Sequence, residues 1–167
     1  MPERILEAAM GILATDGVKN LTQPKVAAAA GVRQSHLTYY FPKKTDLVAG
    51  LLSQHIDKME AMLADPDRSI DLGPAFELIA NDPGRMRFFM GLIVECERDG
   101  ELKKLMKEHV DQFGTLAARF FGRDSGDADV TLFLNALRGF GMMRLLDGGE
   151  SSEVDFASLA KRCGLDS

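Results

Sequence analysis

The sequence has 167 residues, of which 46% are apolar and 27% charged, and its formal net charge is −5 at pH 7. This composition is typical of one ordinary folded domain, or of a small module joined to a second one, and it excludes a mainly disordered chain. The acidic balance excludes a protein that coats nucleic acid indiscriminately. Without a long apolar run or a signal-peptide pattern, the chain is expected to be cytoplasmic, with no membrane partner.

Apolar residues recur at intervals of three and four almost throughout the chain, which predicts an all-α fold. Helices are expected over 2–16, 24–30, 34–40 and 45–63, weakly over 74–80, and again over 83–96, 101–121 and 127–147. We expect Gly17 and Gly31 to end the first two helices in the left-handed conformation, and Thr22 and Thr45 to cap the second and fourth.

Two short helices joined by the turn 30–32 form the strongest local pattern, over residues 22–41. Their spacing is that of a helix-turn-helix, in which the second helix projects into the major groove of DNA. Gly31 permits the positive φ that the turn needs. The second helix carries side chains that bond base edges or phosphates rather than pack a core. The sequence therefore predicts double-stranded DNA as a partner.

Several blocks of residues within 4–52 carry a resemblance to a known family. They are Arg-Ile-Leu-Glu-Ala-Ala at 4–9, Gly17, Thr22, Val-Ala-Ala-Ala-Ala-Gly-Val at 26–32, and Leu-Thr-Tyr-Tyr-Phe-Pro-Lys-Lys-Thr-Asp-Leu at 37–47. In this order they resemble the TetR/AcrR family of transcriptional regulators. The resemblance implies a three-helix DNA-binding domain, a fourth helix leading to an all-α effector-binding domain, and a dimer held largely by the last two helices.

The candidate DNA contacts fall into two groups by position. Candidates for base edges are Arg33, Gln34, Ser35, His36 and Thr38, with Tyr39 as a groove or phosphate contact. Candidates for phosphates are Thr22, Tyr40 and Lys44, and the basic residues Lys25 and Lys43 are expected to add to affinity. The chain departs from the family pattern at Arg33, Ser35 and Thr38, so we expect an unusual base preference.

Charge is divided along the chain. Residues 1–50 carry six Lys or Arg against four Asp or Glu, a net charge of +2, whereas the remaining 117 residues have a net charge of −7. Different signs on different segments suggest different partners. We predict a helix-turn-helix DNA-binding domain over 1–45 and a helical ligand-binding and dimerisation domain over 46–167, with a loop over 65–74.

The predicted helix over 127–147 has apolar side chains on nearly every side. In a small protein such a helix either lies at the centre of the fold or is covered by a second chain. Only 154–163 remains to cover it, so we predict a homodimer. A central helix wrapped by its own chain stays open as the alternative.

Large apolar side chains, Phe and Met among them, concentrate over 76–146. Because methionine repacks easily and small-molecule pockets are mostly apolar with a few polar anchors, we expect a pocket for a small hydrophobic effector. The candidate ligand-binding residues are His55, Met59, Phe89, Ile93, His109, Phe113, Asn135 and Met142. Ordinary core packing is the alternative for each of them. The fourth helix, shared by both domains, is expected to couple ligand binding to DNA binding.

The motifs of common catalytic sites are missing from the sequence, which has no metal-binding His pair, nucleophile elbow or phosphate-binding glycine loop. Cys96 and Cys163 are not spaced as metal ligands and are expected to be inert thiols. We therefore predict no catalytic residue, metal or cofactor. The expected function is a sequence-specific transcriptional repressor that its effector releases from the operator. A DNA-binding regulator controlled by protein contacts alone is the alternative, and a helical enzyme is a remote one.

Overall fold

The computed structural model describes residues 1–64, 76, 81–148 and 155–165, and every regular element in these ranges is helical. The α-helices are α1 (Pro2–Asp16), α2 (Gln23–Ala30), α3 (Gln34–Tyr40), α4 (Lys44–Leu63), α5 (Pro83–Glu95), α6 (Gly100–Phe120), α7 (Ala128–Leu146) and α8 (Phe156–Arg162), with a 3-10 turn at Val18–Asn20. The predicted all-α fold is confirmed. The predicted loop over 65–74 and the weak helix over 74–80 lie outside the described residues, apart from Phe76, which is helical.

Two of the predicted helix ends are wrong in detail. Gly17 has a positive φ of 77°, but its ψ of 172° is extended rather than left-handed helical, because the chain turns directly into the 3-10 segment. Thr45 does not cap α4, which begins one residue earlier. Instead the Asp46 carboxylate accepts a hydrogen bond of 2.7 Å from the Lys43 backbone N–H, and so satisfies a donor that the helix leaves unpaired.

The chain packs into two compact units, the first of which contains Met1–His55 and Arg87–Lys107. Its core combines apolar side chains from α1 to α4 with others from α5 and from the start of α6. The fully buried members are Ile5, Ala9, Leu13, Val26, Leu37, Leu47 and Leu92. The helix-turn-helix segment is therefore fixed by a core that includes residues distant in sequence.

The second unit contains Ile56–Met86 and Glu108–Ser167. Four aromatic rings cluster in its core: Phe76 meets Phe120 and Phe133 edge to face and lies parallel to Phe121, with ring centroids 5.0 to 5.9 Å apart. Such pairs add about 0.5–1.5 kcal/mol beyond the burial of their area. The side chain of Asp127 begins α7 by accepting bonds from the backbone N–H groups of the second and third residues that follow it.

The helix α7 is buried on one side only. Its buried positions are Val130, Phe133, Leu134, Leu137 and Gly141, whereas Leu132, Phe140, Met142, Met143 and Leu146 are exposed. The described residues therefore do not wrap this helix on all sides, contrary to the alternative of a central helix. Its outer face remains apolar.

The division by packing differs from the predicted boundary between residues 45 and 46, since α5 and the start of α6 share the core of the first unit. As the limit of the DNA-binding domain, that boundary stays a prediction. Within the described ranges, none of the helices has the length and apolar character that a membrane crossing requires. Of the two free cysteines, Cys163 is buried and Cys96 is half-buried.

Candidate nucleic-acid interface

The turn between α2 and α3 is a glycine-ended helix cap. Gly31 lies in the left-handed helical region, with φ 61° and ψ 36°. Its N–H donates to the Ala28 carbonyl at 3.1 Å, and the Val32 N–H donates to the Ala27 carbonyl at 3.0 Å. These paired bonds satisfy carbonyls of the last turn of α2 and set the direction in which the chain leaves it. A Cβ at position 31 would lie 2.6 Å from Arg4 Nη2, the end of a flexible side chain that can move away, so the positive φ is what favours glycine here.

The helix α3 is held by one buried side chain. Leu37 has no exposed surface and belongs to the same core as Val26 and Ala30 of α2. Because each residue advances an α-helix by 100°, Ser35 and Tyr39 lie on the side opposite Leu37. Tyr39 is 79% exposed, more than any other large hydrophobic side chain among the described residues. The helix thus presents a polar face outward.

Of the other base-edge candidates, His36 and Thr38 border that outward face, whereas Arg33 and Gln34 lie at the start of the helix. Arg33, Gln34 and His36 are exposed. Thr38 is half-buried, and its hydroxyl donates to the Gln34 carbonyl at 2.7 Å, inside the helix. A hydrogen bond from Thr38 to a base would have to replace this one, whereas Gln34 can bond a base through an exposed amide.

The predicted phosphate contacts lie at the ends of the short helices. Thr22 is the N-cap residue of α2, but its hydroxyl makes no capping hydrogen bond. Tyr40, at the end of α3, is 43% exposed and its ring meets that of Tyr39 edge to face at 5.1 Å. The Lys44 ammonium donates to the Val18 carbonyl at 2.8 Å, so this lysine also ties the start of α4 to the 3-10 turn.

The remaining basic candidates take part in exposed ion pairs. Lys25 Nζ lies 3.0 Å from Asn20 Oδ1 and 3.9 Å from Asp16 Oδ2. Lys43 Nζ lies 3.7 Å from Glu101 Oε1, and both of these side chains are 67% exposed. Exposed pairs of this kind contribute about 0–1 kcal/mol. Exchanging either partner for a phosphate therefore costs little.

Gln23 is the residue at this site that the sequence analysis missed. Its side-chain amide donates to the Phe41 carbonyl at 2.9 Å and to the Pro42 carbonyl at 2.7 Å. A glutamine at the start of a short helix belongs to no recognisable motif, and its partners lie 18 and 19 positions further along the chain. Only the tertiary fold brings these groups together.

The candidate ligand-binding residues are divided between the two units. His55, Phe89 and Ile93 belong to the first unit, and Met59, His109, Phe113, Asn135 and Met142 belong to the second. Met59 and Phe113 are buried members of the second core. Ile93, Asn135 and Met142 are exposed, so the structure does not give these three the burial expected of a pocket lining.

His109 is the most favourably placed polar candidate in the second unit. It is 6% exposed, and its ring centroid lies 6.4 Å from that of Phe113. Burial, and then the charge of Arg138, lower the pKa of His109 to about 4. The guanidinium of Arg138 donates to Asn135 Oδ1 at 3.1 Å, and burial lowers its pKa as well. A neutral imidazole beside aromatic and cationic groups can donate one hydrogen bond and accept another.

Comparison with known proteins finds a family match for the segment that contains the helix-turn-helix. Residues 5–51 match the model of the bacterial regulatory proteins of the tetR family. Over 160 residues the chain is 26% identical to the HTH-type transcriptional regulator CymR of Pseudomonas putida. The aligned region covers 85% of this chain and 78% of that protein.

Two solved structures share the fold. One is a TetR transcriptional regulator from Legionella pneumophila, with a TM-score of 0.71 and 19% identity over 96% of this chain and 91% of that one. The other is the multidrug binding protein EbrR complexed with ethidium, with a TM-score of 0.65 and 21% identity over 98% of this chain and 96% of that one. Residues 5–51 therefore form a segment of the tetR family of bacterial regulatory proteins, and the two solved structures show that the chain as a whole has the same fold as they do.

Proposed function

We propose that this chain is a transcriptional regulator of the TetR family, a repressor that binds a double-stranded operator as a homodimer and leaves it when a small, largely apolar effector binds. One observation carries the DNA-binding part: the buried Leu37 holds α3 so that its polar face is exposed. A helix presented in this way has the size and chemistry that the major groove admits. A protein that acts on DNA inside the cell works in the cytoplasm.

Arg33, Gln34, Ser35, His36 and Tyr39 are assigned to the groove. Thr38 is assigned a secondary role there, since its hydroxyl already bonds within α3. Thr22, Lys25, Tyr40, Lys43 and Lys44 are assigned to phosphates. A dimer places two such helices about 34–36 Å apart, or a multiple of that spacing, so the operator is expected to be nearly palindromic.

Selection from a pool of random duplex DNA with the full-length protein tests this assignment. Gln34→Ala is expected to relax the preference at one base pair, at a cost of about 1–3 kcal/mol for the preferred base. Lys25→Ala is expected to weaken binding to all sequences and to lower the slope of log affinity against log salt by about 1. If both changes reduced the affinity for every sequence equally, the division between base contacts and phosphate contacts would be refuted. A footprint without dyad symmetry would refute binding as a homodimer.

The exposed face of α7 supports the homodimer. Leu132, Met143 and Leu146 recur at near-helical intervals on the side opposite the buried residues, and all three are more than half exposed. A two-fold interface uses the same patch on both copies, so the apolar face of α7 in one copy can pack against the same face in the other. The proposed dimer is tested by measuring mass in solution. Leu132→Glu with Met143→Glu is expected to give a monomer, whereas Gln112→Glu on the exposed side of α6 is expected to leave the dimer intact.

The second unit supports the effector part of the proposal. It combines a core of phenylalanine rings with the neutral His109 and the guanidinium of Arg138, and such mixed surroundings suit an apolar ligand that has a polar group. EbrR, which shares the fold, is complexed with the small aromatic molecule ethidium. The helices α4 and α6 each contribute residues to both units, which offers a continuous path for coupling.

A thermal-shift screen of small apolar and aromatic compounds tests for an effector, because a ligand that binds the folded state raises the melting temperature. Each compound that stabilises the protein is then added to the complex with selected DNA. Release of the DNA supports the repressor mechanism. A stabilising compound that leaves operator affinity unchanged would refute release by that ligand, and a screen with no stabilising compound would favour control by protein contacts alone.

A further inference from the structure

The amide of Gln23 joins the beginning of α2 to the end of α3. Gln23 is the first residue of α2 and is half-buried. Its Nε2 donates to two carbonyls, that of Phe41 at 2.9 Å and that of Pro42 at 2.7 Å. Because both partners are acceptors, the NH₂ group of the amide, and not its oxygen, must face them. Both hydrogens of that group are then used.

The backbone carbonyl groups at the end of α3 need hydrogen-bond donors, and Gln23 supplies two. The last carbonyls of a helix have no partner within it, and Pro42 keeps the preceding residue out of the helical region, so the helix cannot continue. Phe41 has φ −134° and ψ 79° as the residue that ends α3, and its side chain is 8% exposed in the first core. The core thus holds the side chain of Phe41, while Gln23 holds the adjoining backbone.

We infer that Gln23 is a positioning residue for DNA reading, which fixes the end of α3 relative to the start of α2. This inference rests on the proposed DNA-binding function. The two ends that Gln23 joins carry different assigned contacts, with Thr22 directed at a phosphate beside α2 and Tyr39 at the groove on α3. Phosphate contacts set the register of a protein on DNA, and base contacts read the sequence. By joining α2 to α3, Gln23 fixes the position of the base contacts relative to the phosphate contacts.

A consequence distinguishes positioning from general stabilisation. If Gln23 only stabilised the fold, its loss would reduce the folded fraction and weaken binding to every DNA in proportion. If it sets the angle of α3, its loss spoils the base contacts while the phosphate contacts, which tolerate small shifts, persist. The ratio of specific to non-specific affinity is therefore the informative quantity, because the folded fraction cancels from it.

The experiment uses the full-length protein with a duplex enriched from a random pool by the wild type, and with a scrambled duplex of the same composition. Gln23→Met keeps the length of the side chain and removes both donors. It is expected to weaken binding to the enriched duplex about tenfold, since a shifted α3 weakens about one specific base contact, and to change binding to the scrambled duplex less than about twofold. Gln112→Met, at an exposed position on α6, is the matched control and is expected to leave both affinities unchanged.

Gln23→Glu gives a second readout. At neutral pH its carboxylate faces two carbonyl oxygens and donates nothing, but as the pH falls toward the ordinary carboxyl range it takes up a proton and regains one donor. The specific-to-non-specific ratio of Gln23→Glu, normalised to the wild type at each pH, is therefore expected to rise on acidification, while that of Gln23→Met stays flat.

An unchanged ratio for both variants, or a proportional loss on both duplexes, would overturn the positioning role while leaving the DNA-binding function in place. A wild-type protein that enriches no sequence would overturn the proposed function, and the role of Gln23 with it. A lowered ratio for Gln23→Met, together with pH-dependent recovery in Gln23→Glu, supports the inference.

Discussion

Acidification is expected to destabilise this protein through His109. Burial, and then the charge of Arg138, lower the pKa of this imidazole from 6.5 to about 4 in the folded chain. Between these two values the unfolded chain takes up a proton that the folded chain does not bind. The free energy of unfolding therefore falls as the pH falls from 6.5 toward about 4, and above 6.5 this histidine contributes no pH dependence.

The size of the effect follows from the shift in pKa. One pKa unit corresponds to about 1.4 kcal/mol, so the full loss approaches about 3 kcal/mol. Between about pH 7.5 and about pH 5.5, proton linkage gives a loss of about 1.4 kcal/mol from this residue. For a chain of this length that loss lowers the melting temperature by roughly 3–5 °C.

Urea unfolding of the wild type and of His109→Gln at these two pH values measures the effect. Glutamine does not titrate, so the variant is expected to lose about 1.4 kcal/mol less than the wild type on acidification, and the contributions shared by both proteins cancel in the comparison. His36→Gln, at an exposed position of α3, shows what the loss of an exposed imidazole does. An identical pH dependence in the wild type and in His109→Gln would refute the reasoning.

Three further predictions concern stability and are measured by urea unfolding. Leu37→Ala removes a side chain with no exposed surface and is expected to cost about 2–5 kcal/mol; a loss below about 1 kcal/mol would contradict the packing of α3 described above. Gly31→Ala places a Cβ on a residue with φ 61° and is expected to cost about 1–2 kcal/mol, since the end of the Arg4 side chain can move away; a variant as stable as the wild type would show that the turn relaxes. Asp127→Ala removes the acceptor of two N–H groups at the start of α7 and is expected to cost about 1 kcal/mol, whereas exposed Asp124→Ala is the matched control and a similar loss from both would count against the cap.

Local sequence patterns were enough to predict most of the helix-turn-helix. The left-handed Gly31, the helix over 34–40 and the stop at Phe41-Pro42 all follow from the backbone preferences of individual residues, and the structure has each of them. The cap of α4 was predicted at Thr45 and is made by Asp46 instead. Adjacent residues compete for such a cap, and small differences in local geometry decide between them.

The candidate ligand-binding residues were harder to predict. Helical periodicity shows on which face of a helix an apolar residue lies. It does not show which other element, if any, packs against that face. Met59 and Phe113 are buried in the second core, whereas Ile93 and Met142, equally apolar, are exposed. Their difference comes from packing between elements far apart in the chain.

The order and type of the secondary-structure elements could be predicted from the sequence, because helix periodicity, glycine turns and proline stops act over a few neighbouring residues. The family resemblance was present too, since it rests on short blocks in a fixed order. Tertiary structure alone decided that α5 and the start of α6 join the core of the first unit, that α7 keeps one apolar face outward, and that Gln23 reaches the end of α3. Each of these depends on contacts between residues many positions apart, whose distances are set by how the whole chain packs and not by the preferences of any one segment.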